Sequence, residues 1–257
     1  MCRETFYIDG VDARKFGICL QKPVEFSEAV PVIERQSIPG RNGDLIFDTG
    51  SYENRTGTAQ CFCLKRNVEK EIGPAGSFFM GKKGYRRLET SDDPDHFWLA
   101  RVENSPAIAQ RIRTLAPFEI SFDCKPQRFV KSGENKMFFS YSSVFLRVNI
   151  YNPFGFPARP LIHAHWGDSQ ETNSVGFTFI GQTESIVKEK SVYANGITEN
   201  DLYIDCDIHD AYNENGNQNK NISLYEFPSL DPGENSFVVV GSENLEYVEI
   251  TPRWWEL

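Results

Sequence analysis

The chain has 257 residues, 40% of them apolar and 25% charged, with a net charge of −9. It is too long for one small module and too apolar for disorder, so one large domain or two ordinary ones with real cores are expected. The charge is uneven: residues 1–131 carry 20 Lys and Arg against 18 Asp and Glu, whereas residues 132–257 carry 7 against 18, an acidic half that argues against nucleic-acid binding because phosphate contacts need Lys and Arg.

Aromatic residues reach 13% and long helical patterns are scarce, which leans the fold towards all-β. Thr5–Ile8 reads as a short strand turned by Asp9-Gly10, residues 11–17 as a compact connection, and Ile18–Leu20 as a strand ended by Pro23. Residues 30–38 are extended, with Pro31 marking an edge or a strand start. Pro39, Gly40 and Asn42-Gly43 then build a stiff turn flanked by Arg35 and Arg41. It is read either as a simple reversing loop or as a docking surface carried by the two arginines. Leu45–Asp48 is extended, residues 50–52 read as a turn, and Thr56–Leu64 alternates as a strand. A helix capped by Asn67 and interrupted at Gly73-Pro74 is predicted within 67–80. Strands follow at 85–89 and 97–103, around a dense turn at 91–95. Residues 106–113 are loop or strand edge, 118–124 is a half-buried strand, and Cys124-Lys125-Pro126 closes the segment. The polar stretch 131–136 reads as a linker. Beyond it, short strands recur at 144–150, 161–166, 175–180, 185–190, 202–206, 222–225, 236–240 and 247–251, a spacing typical of a sandwich or barrel. Residues 213–221 read as an exposed, mobile polar loop and 228–235 as a rigid turn.

The chemistry-bearing residues do not assemble into a catalytic set. The six cysteines contain no CxxC pair, and Cys61 and Cys63 lack a second ligand pair, so reduced, buried thiols made in a cytoplasm are expected. No apolar leader follows Met1 and no run of about 20 apolar residues exists, so neither secretion nor membrane insertion is expected. His163 and His165 share a strand face, and Asp168 or the group Asp205, Asp207 and His209 could complete a metal site. Neighbouring aromatics favour ordinary sheet-face histidines, and no metal or other cofactor is expected. Residues 205–210 lack the glycine and terminal glutamate of an EF-hand loop, and their alternation places Asp205, Asp207 and His209 on one solvated face. No G-x-S-x-G elbow exists, and no carboxylate pair can be assigned for glycoside hydrolysis. Trp166, Trp254 and Trp255 are candidates for stacking on sugars, or else core aromatics. A binding or structural protein is favoured over an enzyme.

Several segments, in order, resemble the distal tail proteins (Dit family) of phages with long, non-contractile tails, or their prophage equivalents. They are Phe6-Tyr7-Ile8-Asp9-Gly10 running to Phe16-Gly17-Ile18; Ile38-Pro39-Gly40-Arg41-Asn42-Gly43 with Gly50-Ser51-Tyr52; Ser91-Asp92-Asp93-Pro94-Asp95; and Phe122-Asp123-Cys124-Lys125-Pro126. In the second half, Asn152-Pro153, Ile204-Asp205, the stretch from Phe227 to Asn235 and Pro252-Arg253-Trp254-Trp255 also fit. The sequence departs from the family's pattern at residues 73–80, where a helix ending in an aromatic-Leu pair is usual. The resemblance implies a mostly β chain of two β-sandwich-type domains. Residues 1–131 would be a ring-forming domain with a short helix and an extra hairpin. Residues 132–257 would be a galectin-like or carbohydrate-module-like domain, with the last few residues packing back on the first. It implies a non-enzymatic hub at the virion tail tip, assembled in the bacterial host cytoplasm. The expected partners are itself as a homo-hexamer, the tail-tube protein, a tail-tip protein and, in some members, a receptor-binding protein. Arg35, Pro39, Gly40, Arg41, Asn42 and Gly43 then fall at a ring or tube interface. The alternative is a carbohydrate-binding protein recognising cell-surface glycans.

Overall fold

The structure, a computed structural model, describes residues 4–63, 76–79, 81–103, 117–142, 145–167, 172–183 and 186–257. It is mostly β and divides into two compact units, residues 1–128 with Leu257, and residues 129–256.

The first unit opens with β1 (Phe6–Ile8) and β2 (Val11–Asp12), then β3 (Ile18–Leu20) and β4 (Glu25–Phe26). Strands β5 (Pro31–Gln36) and β6 (Leu45–Tyr52) form a hairpin, followed by β7 (Arg55–Cys63), β8 (Arg86–Thr90), β9 (His96–Val102) and β10 (Phe118–Val130). The main sheet runs β2-β1-β8-β9-β10-β7-β3, with β4 beside β7. Between β2 and β3, Asp12 caps a short 3₁₀ turn, Ala13–Phe16, by accepting the Arg14 N–H, and Gly17 ends it at a positive φ of 75°. Alternation along β10 sends Phe118, Ile120, Phe122 and Cys124 to one face. There they meet Phe6, Ile18, Leu88 and Phe79 in a continuous core. Phe26 lies flat on Trp98, ring centroids 4.1 Å apart. Gly57 allows this approach, because a Cβ there would stand 3.1 Å from the Phe26 ring and 3.3 Å from the Cys124 sulfur.

Two boundaries differ from the sequence expectation. Residues 50–52 lie within β6, where the turn signal marks a bulge: the register against β5 slips between Asp48 and Tyr52, Gly50 takes φ 69° and its N–H donates to Asp48; and β10 continues through Pro126 to Val130. Pairing of Tyr52 with Pro31 carries β6 past the bulge, and the Val130 N–H donating to the Trp254 carbonyl extends β10, since strand length is a property of the ladder and not of one segment. Residues 76–79 are helical, whereas 67–75, 80 and 106–113 lie outside the described residues.

The second unit contains β11 (Met137–Ser140), β12 (Leu146–Asn152), β13 (Leu161–Trp166), β14 (Asn173–Thr183), β15 (Ile186–Ile197), β16 (Asp201–Asp205), β17 (Asp210–Asn213) and β18 (Gly216–Asn217). It ends with β19 (Ile222–Leu224), β20 (Gly233–Gly241), β21 (Leu245–Thr251) and β22 (Trp255–Glu256). One sheet has the order β11-β21-β13-β16-β17-β18, the other β12-β20-β14-β15-β19. Their inner faces close over Trp166, Phe177, Phe179, Phe237, Ile162 and Ile250, the layered solution for two half-buried sheets. Residues 213–221 are more ordered than expected. Asn213 and Gln218 are buried, Asn213 donates to Glu199, and Asp210 accepts from Asn217 and Asn219. Residues 131–134 form a 3₁₀ turn whose Gly133 carbonyl accepts the Arg253 N–H.

Cys61 and Cys124 are buried free thiols, and burial pushes both up to about 12. Cys19 is disulfide-bonded, which corrects the expectation of uniformly reduced thiols. Only a thiolate reacts. A water-soluble thiol reagent is therefore expected to leave Cys61 and Cys124 unlabelled in the folded chain and to label both after denaturation. Equal labelling in both states, read by mass spectrometry, would refute this.

Candidate functional site

The hairpin of β5 and β6 places the residues singled out at 35–43. Glu34 faces Phe47, Arg35 faces Ile46 and Gln36 faces Leu45. The chain reverses beyond them through a loop in which the Arg41 N–H donates to the Ile38 carbonyl at 3.1 Å. Gly40 and Gly43 hold φ of 81° and 82° in open space, so their backbone conformation, not crowding, demands glycine. Arg35, Pro39, Gly40, Arg41, Asn42 and Gly43 are all exposed and lie together at this end of the hairpin. Among the described residues, β5 and β6 pair only with each other. Both faces carry exposed apolar side chains. Ile33 and Ile46 (61% exposed) share one face with Arg35, and Phe47 (50% exposed) lies on the other with Glu34. Such a hairpin is marginal in water by itself, and its outer edges offer unpaired backbone groups.

The tryptophans fall elsewhere. Alternation along β13 turns Trp166, with Ile162 and Ala164, into the sandwich, where it is fully buried. Trp254 is buried in the same core. Neither ring has a face open to a sugar, which corrects their candidacy for stacking to core packing. Trp255 lies half-buried on Phe156, centroids 4.5 Å apart, and donates its indole N–H to the Pro157 carbonyl.

Asp205, Asp207 and His209 do not share a strand face, because β16 ends at Asp205 and the chain turns immediately after it. Asp205 is buried and holds Arg253 through both guanidinium NH₂ groups, at 2.6 and 2.8 Å. Burial pushes its carboxyl up. The Arg253 hydrogen bonds and charge, with the N–H groups of Asp207 and Ile208, outweigh this and hold it below the usual carboxylate range. His209, at φ 57°, stacks on Phe227 and meets Arg159 at 2.8 Å. Asp168 lies outside the described residues.

The segments that carried the family resemblance do structural work. Asp9, at φ 50° in the first turn, binds Arg86 at 2.9 Å and Lys82 at 3.1 Å. Asp93 bridges His96 at 2.6 Å and Arg128 at 2.6 Å. Burial pushes the Asp93 carboxyl up, but these two partners bring it below its ordinary range. In the second unit the Asn235 amide accepts the Asp231 N–H and donates back to the Asp231 carbonyl, pinning the approach to β20.

The crystal structure of SPP1 Dit (gp 19.1), described as a paradigm of the hub adsorption apparatus in phages infecting Gram-positive bacteria, aligns with 96% of this chain and 97% of its own length, at a TM-score of 0.65 and 14% identity. This chain shares the fold of a phage adsorption hub protein. The likeness to SPP1 Dit runs through both units, in agreement with the resemblance to distal tail proteins read from the ordered motifs. A Cry1Da tryptic core variant from Bacillus thuringiensis covers 98% of this chain and 51% of its own, at 10% identity, but its TM-score of 0.24 carries no fold relationship. No protein-family model and no curated protein matches the sequence.

Proposed function

We propose that this chain is a non-enzymatic structural hub of a phage tail tip. In this reading six copies close into a ring that joins the tail tube to the adsorption apparatus and can carry a receptor-binding protein. The observation that carries the reading is the shared fold with the SPP1 hub protein over nearly the full length of both chains. The β5–β6 hairpin supports it, since a two-stranded ribbon with exposed Ile33, Ile46 and Phe47 gains by being covered. Residues 1–128 hold that hairpin and the nearly balanced charge that suits packing of like subunits, whereas the acidic second half suits a solvated position. The exposed 35–43 end of the hairpin is the ring-facing or tube-facing contact, with Arg35 and Arg41 supplying charge-assisted hydrogen bonds.

The test is negative-stain imaging and light scattering of the purified chain, alone and mixed with tube and tip proteins from the same genome. Six-fold rings are expected, at least in the mixtures. A chain that stays monomeric under every condition overturns the proposal. Arg41→Glu is expected to weaken assembly about tenfold or more, as reversal of an interface charge does, with the melting temperature unchanged. If it assembles like the parent, the loop is only a turn.

A further inference from the structure

We propose that His163, His165 and Asp201 form a binding site for one divalent transition-metal ion, with Zn²⁺ the best fit. The site lies on the outer face of the six-stranded sheet, and its geometry follows from register. On β13, His163 and His165 are two residues apart and point the same way. On one side β16 places Asp201 opposite His165 and Tyr203 opposite His163. On the other, β21 places Glu249 opposite His163 and Tyr247 opposite His165. One ligand atom from each of His163, His165 and Asp201 lies within 4.8 Å of the others. The His163 Nε2 stands 2.7 Å from Asp201 Oδ1, and the His165 Nδ1 stands 2.8 Å from the same oxygen.

The surroundings of these three ligands are those of a metal site. The remaining nitrogen of His163, Nδ1, lies 3.0 Å from Glu249 Oε2. With the ion bound, donation of its N–H to that carboxylate turns the Nε2 lone pair to the metal, which replaces the hydrogen bond that Nε2 makes with Asp201 in the metal-free chain. A carboxylate behind a histidine ligand selects the tautomer and strengthens the donor in this way. Lys136 holds Glu249 in place at 2.8 Å. The His165 Nε2 points towards Glu246, 4.0 Å away, leaving Nδ1 inward. Both rings are fixed by stacking, His163 on Tyr203 (4.3 Å, 8°) and His165 on Tyr247 (4.8 Å, 22°). A preorganised set of this kind loses little side-chain entropy on binding.

Two imidazoles and one carboxylate favour zinc or a neighbouring first-row ion over calcium or magnesium, which take oxygen. Around a tetrahedral ion with bonds near 2.0–2.1 Å, ligands stand about 3.3 Å apart. The present nitrogen–oxygen gaps therefore need to open by about half an ångström. His165 and Asp201 are partly exposed, which gives the ion an entry route and leaves a fourth position for water. The bound ion would tie β13 to β16. The i, i+2 spacing of the His163–His165 pair is visible in the sequence, whereas the third ligand is Asp201 on β16 and not Asp168 or a residue of 205–209.

The test uses the full chain, stripped with EDTA and dialysed against ZnCl₂. One zinc per chain by elemental analysis, a rise in melting temperature with zinc, and the visible bands of tetrahedral Co²⁺ on cobalt substitution are expected. His165→Gln and Asp201→Asn should each abolish all three while keeping the parent circular dichroism spectrum. Glu249→Gln should weaken zinc binding about 10–100-fold. His209→Asn, remote from the site, should bind like the parent. Failure of the parent to take up zinc, or uptake that survives both His165→Gln and Asp201→Asn, overturns the proposal.

Discussion

Replacing Ile46 and Phe47 together by aspartate is expected to abolish ring assembly while leaving the melting temperature of the isolated chain within about 2 °C of the parent, since exposed substitutions usually change stability by under about 0.5 kcal/mol. These residues are 61% and 50% exposed and lie on opposite faces of the β5–β6 hairpin. In the isolated chain they contribute little, so removing them costs little. In an assembly that covers both faces, each apolar side chain contributes about 1.5–3 kcal/mol. Their loss, with two carboxylates left buried, weakens each contact by more than about 3 kcal/mol, or over 100-fold. Light scattering of the partner mixture reads the effect. Unimpaired rings would remove the hairpin from the interface and leave the hub reading to stand on the fold likeness alone.

Asp205→Asn is expected to destabilise the second unit by about 3–5 kcal/mol, because the substitution strands the guanidinium of Arg253 without its counter-charge. For a unit of this size that lowers the melting temperature by roughly 10–20 °C. The pair is bidentate, and Asp205 is almost entirely out of water. The linkage has a definite sign. The folded-state carboxyl sits below its ordinary range, so its stabilisation is complete above the unfolded value near pH 4 and is lost as pH falls through the folded value. The parent should thus lose stability steeply below about pH 4, and Asp205→Asn should show a shallower dependence there. Arg253→Met combined with Asp205→Asn should recover much of the loss, since removing both charges leaves neither unpaired. A single variant as stable as the parent in urea titration would show that the pair is not coupled to folding.

Asp205 and Arg253 also show how far local reading reached. Both stood in segments marked by family resemblance, yet alternation put Asp205 on a solvated face with Asp207 and His209. The end of β16 and the left-handed Arg253 at φ 60° instead bring the guanidinium to the buried carboxylate, 48 residues away in sequence. The same distance problem governs the histidines. Their shared face was legible from the i, i+2 spacing, but the third ligand arrives on a neighbouring strand whose register no local pattern specifies.

What the sequence determined by itself is the β character, the strands at 118–124 and 161–166, and the turn at 38–43. In each, two-residue alternation or positive-φ glycines act within a few residues. The ordered motifs by themselves also resemble those of the hub proteins. Only the tertiary structure decided that Trp166 and Trp254 are core, that β10 runs on to Val130, that the 35–43 loop sits on an exposed hairpin, and that Asp201 joins His163 and His165. The physical reason is common to all four. Burial and strand pairing are set by contacts between segments far apart in the chain, and the free energy of those contacts outweighs the weak local preferences that a sequence pattern records.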